Sequence, residues 1–348
     1  MKNYSETPIV KGFNRSCIYD LPRQNYDLVS NHIVDKLDKL SNLNFEDLIK
    51  TLNVDEIEWV NFFLIKEYYF LISNEFSNSF PKINFEWHYP FLINNCIIEI
   101  TNIKLNVLKI FSRLEDINCK HLLIKFNNIE NTNEIIDFLK LNLENLTFKS
   151  IDLIIEDNKN KKINLQNFYN LVKKEIAQIT SIKTNPFFKI NELYFKPQFL
   201  VNINMFSESK SYNVYYNRKL YIDDNGHIKN GIETTKSFGN IYSSIENFEK
   251  IIKSKKFKSL SKINKDKIDV CKDCEFRYMC IDNRIPLKRD DNTYFFQKEC
   301  SYNPYISKWH IDENYKSLTE VGVYSNEKEF YINIKKVQNY NNIVWKDA

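Results

Sequence analysis

The rhythm of hydrophobic and polar positions changes three times along the chain. Up to about residue 85, short apolar runs at Ile9-Val10 and Cys17-Ile18-Tyr19 suit strands. A helical stripe follows at Ile33, Leu37 and Leu40, and a longer apolar and aromatic run from Val54 to about Ser73 predicts a second helix. Pro81 and Pro90 punctuate the exit. From about residue 95 the pattern alternates between strand and helix. Ile97-Ile98-Glu99-Ile100, His121 to Phe126 and Ile151 to Ile155 predict strands, and Ala177 to Ile182 would add a fourth. Between them lie helical stripes at Val107, Leu108, Phe111 and Leu114 and at Leu165, Phe168, Tyr169 and Val172, with a third helix that Asn131 would cap ahead of Glu134. A repeat of roughly 25–30 residues fits βαβ units on a parallel sheet. The fold class expected is therefore α/β, with a partial or degenerate βα barrel, because fewer units are visible than the eight of a closed barrel.

The third rhythm begins near Val214. Leu220-Tyr221-Ile222 and His227-Ile228 flank Asp223-Asp224-Asn225-Gly226, which has the chemistry of a hairpin turn. Phe238-Gly239-Asn240-Ile241 predicts a further turn, and Ser243 with Glu246 a capping box. Most of the cysteines come next. The tail after about residue 310 carries a helix-like piece and a strand from Phe330 to Ile334.

Composition narrows the picture. With 348 residues the chain exceeds the usual single domain, and 43% hydrophobic with 27% charged residues is ordinary for a protein that buries real cores. The 49 basic residues nearly balance the 45 acidic ones, leaving +4, so nothing calls for a nucleic acid. The apolar run Trp59 to Ile72 is broken by Lys66 and Glu67, too short and too charged to span a bilayer. The N-terminus has no apolar signal core, so a cytoplasmic setting is expected, where the 7 cysteines would be thiols or metal ligands and not disulfides. His32, His88, His121, His227 and His310 show no metal-ligand spacing, and with only 5 glycines there is neither a P-loop nor a GxGxxG. The lysines from Lys253 to Lys267 read as a solvated helix end and loop; the functional alternative is a landing strip for an acidic partner.

The candidate chemistry sits at Cys271-x2-Cys274-x5-Cys280-x19-Cys300. Two thiolates two residues apart can ligate one centre, because the turn between them aims its N–H groups at the sulfurs. The third comes from the same loop and the fourth from a distant segment. This ligand set serves zinc or an iron–sulfur cluster equally well. Cys17, Cys96 and Cys119 lie among apolar residues and read as buried thiols.

The run Cys271-Lys272-Asp273-Cys274-Glu275-Phe276-Arg277-Tyr278-Met279-Cys280 resembles the second half of a SPASM domain, which binds auxiliary [4Fe-4S] clusters in radical SAM peptide-modifying enzymes. Ile281 to Pro286, Cys300, Asn303-Pro304-Tyr305-Ile306-Ser307-Lys308-Trp309, Gly12-Phe13-Asn14-Arg15-Ser16, Tyr19-Asp20-Leu21 and Phe238 to Ile241 narrow the resemblance to the SPASM-domain peptide maturase of the grasp-with-spasm system. The resemblance implies residues 1–90 as a small N-terminal domain, with a winged-helix peptide-recognition module as one reading. It implies 91–210 as a degenerate radical SAM-like barrel and 211–348 as a SPASM-like domain with its tail. It further implies one [4Fe-4S] cluster on Cys271, Cys274, Cys280 and Cys300, an ATP-grasp ligase and a ribosomally made precursor peptide as partners, and no membrane. Zinc and a non-catalytic scaffold form the alternative. Two departures matter. Arg284 stands where the second SPASM cluster would take a cysteine, and residues 230–237 contain none. The CxxxCxxC of radical SAM enzymes is absent from the sequence, so S-adenosylmethionine is not expected as a cofactor, and no catalytic residue is assigned.

Overall fold

The computed structural model describes residues 2–3, 6–40, 45–72, 75–76, 83–101, 108–127, 132–143, 146–155, 165–184, 197–244 and 247–345. The chain is mixed α/β and divides into two compact units. One gathers Met1–Trp87, Glu192–Val214 and Ile263–Ala348; the other gathers His88–Asn191 and Tyr215–Lys262.

The second unit is built on a six-stranded sheet. Asn95–Ile100, His121–Phe126, Ser150–Ile155 and Ile179–Thr184 run parallel in that order. Lys219–Ile222 joins in parallel on the free side of Asn95–Ile100, and Ile228–Lys229 closes that edge antiparallel. Residues alternate between faces, so Ile98, Ile124 and Leu153 point the same way. Helices Leu108–Asp116, Thr132–Leu143 and Leu165–Glu175 supply Phe111, Leu114, Phe138, Leu139, Phe168 and Val172 to the same continuous core. Among the described residues the sheet is open and does not close into a barrel. Val107, Asn131 and Glu246, expected in helices or caps, lie outside the described residues.

The hairpin fits its turn chemistry. Asp223 accepts the N–H groups of Asn225 (3.1 Å) and His227 (2.8 Å) through Oδ1. Gly226 adopts φ +79°, and a Cβ there would stand 2.5 Å from the Tyr242 ring. Parallel pairing of Lys219–Ile222 with Asn95–Ile100 ties this hairpin to the sheet unit. Residues 215–262 pack with the sheet, while 192–214 join the N- and C-terminal segments.

The first unit opens with an antiparallel meander of Ile9–Lys11, Arg15–Asp20 and Asn25–Ser30. Helices Asn31–Leu40, Phe45–Thr51 and Val54–Ile65 follow. The last begins at a reciprocal Asn53–Glu56 capping box. It ends at Ile65, well before Ser73, because Glu67 takes φ +58° and turns the chain into Tyr69–Phe70, which pairs with Lys2–Asn3. The central meander strand is buried on both faces. Ile18 joins Val29, Val34, Leu37, Val60 and Phe63 in one core, whereas Cys17 and Tyr19 join Val10, Val201, Phe206 and Phe276 in another. At the tail, Phe330–Ile332 pairs with Val323–Ser325, and Asn333 caps a helix, Ile334–Val344, where the sequence suggested continued strand.

No helix among the described residues is long and apolar enough to cross a membrane.

Candidate metal centre

The cysteine segment contains little regular structure, and each thiol is placed by a different local device. Cys271 opens a single 3-10 turn, Cys271–Asp273, in which the Cys274 N–H returns to the Cys271 carbonyl at 3.1 Å. Val270, just before it, has φ +69°, an unfavourable region for a β-branched residue. Cys280 lies in a two-residue strand, Cys280–Ile281, paired antiparallel with Gln198–Phe199. Cys300 precedes the ladder of Tyr302–Asn303 with Lys308–Trp309, and the Tyr302 N–H points at its Sγ at 3.5 Å.

These devices bring Cys271, Cys274, Cys280 and Cys300 to the lining of one cavity of about 400 Å³, counting its open mouth. Phe199, Phe276 and Trp309 form an aromatic wall, with Phe199 stacked on Phe276 at 4.8 Å between centroids and Phe276 on Trp309 at 6.0 Å. Two cations share the lining. Lys265 donates to the Cys280 carbonyl at 2.7 Å. Arg284 reaches to 4.0 Å from the Cys271 sulfur and is ion-paired with buried Asp282 at 2.6 Å. Lys265 is the surprise of the lysine-rich stretch. Lys253, Lys255, Lys256, Lys262 and Lys267 are exposed as expected, but Lys265 is 7% exposed and turned inward. The spacing of lysines along the chain carries no signal for that; only the chain reversal that puts Cys280 over it does.

The electrostatics follow from this arrangement. Burial pushes the Cys271 thiol up to about 12, with Arg284 and Lys265 pulling against it. Burial, then Glu275 and Cys271, hold Cys274 well above the ordinary thiol range, while a backbone N–H from Phe276 opposes them. Cys300 is pushed up to about 11 by burial, against Arg284. For Lys265, burial works against the charge, but Cys280, Asp282 and Cys271 outweigh it and the ammonium is favoured. Burial thus disfavours bare thiolates here, and Arg284 and Lys265 are the cations that oppose it.

The donor set suits a four-thiolate zinc site or a [4Fe-4S] cluster, since all four ligands are soft sulfurs. As the side chains stand, no group of three or more His, Cys, Asp and Glu among the described residues is gathered in a way that could hold a metal ion. Of the other cysteines, Cys17 on the central meander strand is buried in the core against which Cys274 and Cys300 pack but does not line the cavity, and Cys96 and Cys119 lie in the sheet core. His310 is exposed and does not line the cavity.

The outer surroundings of the thiols are the part that sequence reasoning missed. The hairpin turn at Lys11–Arg15 abuts the Cys271–Cys280 loop: the Phe13 N–H donates to the Asp273 carbonyl at 2.7 Å, and Arg277 donates to the Lys11 carbonyl at 2.8 Å and the Cys274 carbonyl at 2.9 Å. The period-two alternation that places Cys17 and Tyr19 on one face also places Arg15 there, which was the available clue.

No protein-family model, curated protein or solved structure matches the chain.

Proposed function

We propose that the protein is a SPASM-type peptide maturation protein that holds one [4Fe-4S] cluster on Cys271, Cys274, Cys280 and Cys300 and acts with an ATP-grasp ligase on a ribosomally made precursor peptide. The observation that carries this reading is the convergence of four cysteines, from segments up to 29 positions apart, on one cavity that also holds Lys265 and Arg284. Loading requires the thiol side chains to turn toward a common centre. When bound, the cluster would cross-link these loops and could pass single electrons. Lys265 and Arg284 would balance its charge, and Phe199, Phe276 and Trp309 would limit water around it.

The rest of the chain is consistent with this assignment. An open sheet of parallel strands with helices packed in one shared core is what a degenerate radical SAM-like βα barrel would leave. A three-stranded meander followed by helices suits a winged-helix module that takes a peptide as an added strand. Asn25–Ser30 pairs on one side only among the described residues, which offers such an edge.

The alternative is a non-catalytic scaffold with a structural zinc that presents the precursor to the ligase. It is favoured by one feature: four cysteines fill four coordination positions, leaving none for substrate. Binding of the purified protein to precursor and ligase, together with the precursor's mass after incubation with this protein alone, separates the readings. Binding to both partners with an altered mass supports an enzyme. Binding without a mass change supports a scaffold. Binding to neither partner contradicts both.

A further inference from the structure

We infer that Arg15, on the N-terminal sheet, is a positioning residue of the four-cysteine site, acting through Glu275 and Tyr302 to hold the loops that carry Cys274 and Cys300. The inference rests on the metal-site reading above and adds to it a residue more than 250 positions away in sequence. Glu275 directly follows Cys274, and its carboxylate is fully buried. Oε1 accepts the Arg15 Nε–H at 2.7 Å and the Tyr302 hydroxyl. Arg15 Nη2 donates to the same hydroxyl at 3.1 Å. Tyr302 in turn points its backbone N–H at Cys300 Sγ. One guanidinium, one carboxylate and one phenol therefore join the residue after Cys274 to the residue two beyond Cys300.

Three further features make the arrangement specific. The Arg15 guanidinium lies 5.8 Å from the Phe276 ring centroid and 5.9 Å from that of Tyr302, so its plane is constrained as well as its hydrogen bonds. The Tyr19 hydroxyl, on the same strand face, donates to the Glu275 carbonyl at 2.7 Å and accepts the Tyr278 N–H at 3.3 Å. Gly12 lets the hairpin turn approach: a Cβ there would stand 2.8 Å from the Glu275 backbone nitrogen and 2.8 Å from its Oε2. That Oε2 is buried and has no hydrogen-bond partner among the described residues. Arg15 is thus the cation paired with this buried carboxylate. Removing the guanidinium leaves that carboxylate buried without its cation beside a ligand loop, a costly state that disturbs the loop. Groups that orient metal ligands from outside typically change metal affinity by about 10–100-fold when lost.

The test is anaerobic titration of the full-length reduced protein with Co2+, whose thiolate-to-metal absorption reports both binding and ligand geometry. Wild type, Arg15→Leu, Arg15→Lys and Tyr302→Phe are compared, with far-UV circular dichroism as a check on folding. The expected result is affinity about 10–100-fold weaker in Arg15→Leu with shifted cobalt bands. Arg15→Lys, which restores the charge without the fork, recovers part of it. Tyr302→Phe, which deletes one hydroxyl and keeps the ring, weakens binding less and still folds if Arg15→Leu does not. Wild-type affinity and spectrum in the folded variants would overturn the inference. Failure of the wild type both to bind cobalt and to take up iron and sulfide on anaerobic reconstitution would instead overturn the metal site on which it rests; where only the cluster loads, the same variants are compared by iron per chain and cluster absorption, with the same expected order.

Discussion

In the sheet unit, Ile98, Ile124 and Leu153 sit on neighbouring strands, and Phe111, Phe138 and Phe168 from three helices join them in one continuous apolar core. Around the cysteines the ladders are two residues long, Gln198–Phe199 with Cys280–Ile281 and Tyr302–Asn303 with Lys308–Trp309, and the surroundings are aromatic rings, ion pairs and side-chain hydrogen bonds. Two-residue ladders cannot stabilise themselves. A region built of them depends on something that fastens several loops at once, and small scaffolds commonly use a metal for this. The sheet needs no such fastener. The two regions should therefore answer differently to the same perturbations.

The largest effect is expected from Cys274→Ser. Losing a ligand should cost more metal affinity than the roughly 10–100-fold typical of outer partners. Hydrogen exchange should accelerate between residues 263 and 310 and stay slow in the strands Asn95–Ile100 and His121–Phe126. The reciprocal lesion is Leu153→Ala. This side chain is 0% exposed in the sheet core, and its truncation should destabilise the sheet unit by about 2–5 kcal/mol in denaturant melts. Metal stoichiometry of the folded protein should not change.

Gly12→Ala probes the seam between hairpin and cysteine loop. The added methyl meets backbone at 2.8 Å, so something must shift, at about 1–3 kcal/mol of unfolding free energy and with weaker metal binding. The smallest effect concerns acid stability of the sheet unit. Burial raises the Asp223 carboxyl, but its hydrogen bond and charge contact with Lys229 and the His227 N–H outweigh this and hold it below the ordinary carboxylate range. Its folded pKa is depressed, so its contribution is present above the unfolded value of about 3.9 and is lost as pH falls through the folded value. Asp223→Asn should accordingly flatten the acid limb of the stability profile without touching the cysteine region.

Much of the sheet unit was legible in the sequence because its elements are local and periodic. The strands at Ile97, His121 and Ile151, the stripe through Phe168 and Val172, and the Asp223–Gly226 turn all emerge where the pattern places them. What period cannot convey is which distant segments pair. Nothing near Leu220 announces that its strand lies beside Cys96. The strand Asn25–Ser30 escaped because Asn25, Asp27 and Ser30 blur its alternation, and its edge position tolerates them. At the candidate site the cysteines were legible from spacing alone. Arg15, Tyr19 and Lys265 were not, because their partners lie in other segments of the chain: Glu275 for Arg15 and Tyr19, and Cys280 for Lys265.

The central claim is that Cys271, Cys274, Cys280 and Cys300 hold one iron–sulfur cluster. Anaerobic purification followed by iron, sulfide and zinc analysis and an absorption spectrum tests it most directly. About four irons and four sulfides per chain, lost in Cys274→Ala, is the predicted result. One zinc and no iron would contradict it, leaving the same thiols as a structural staple and the protein as a scaffold.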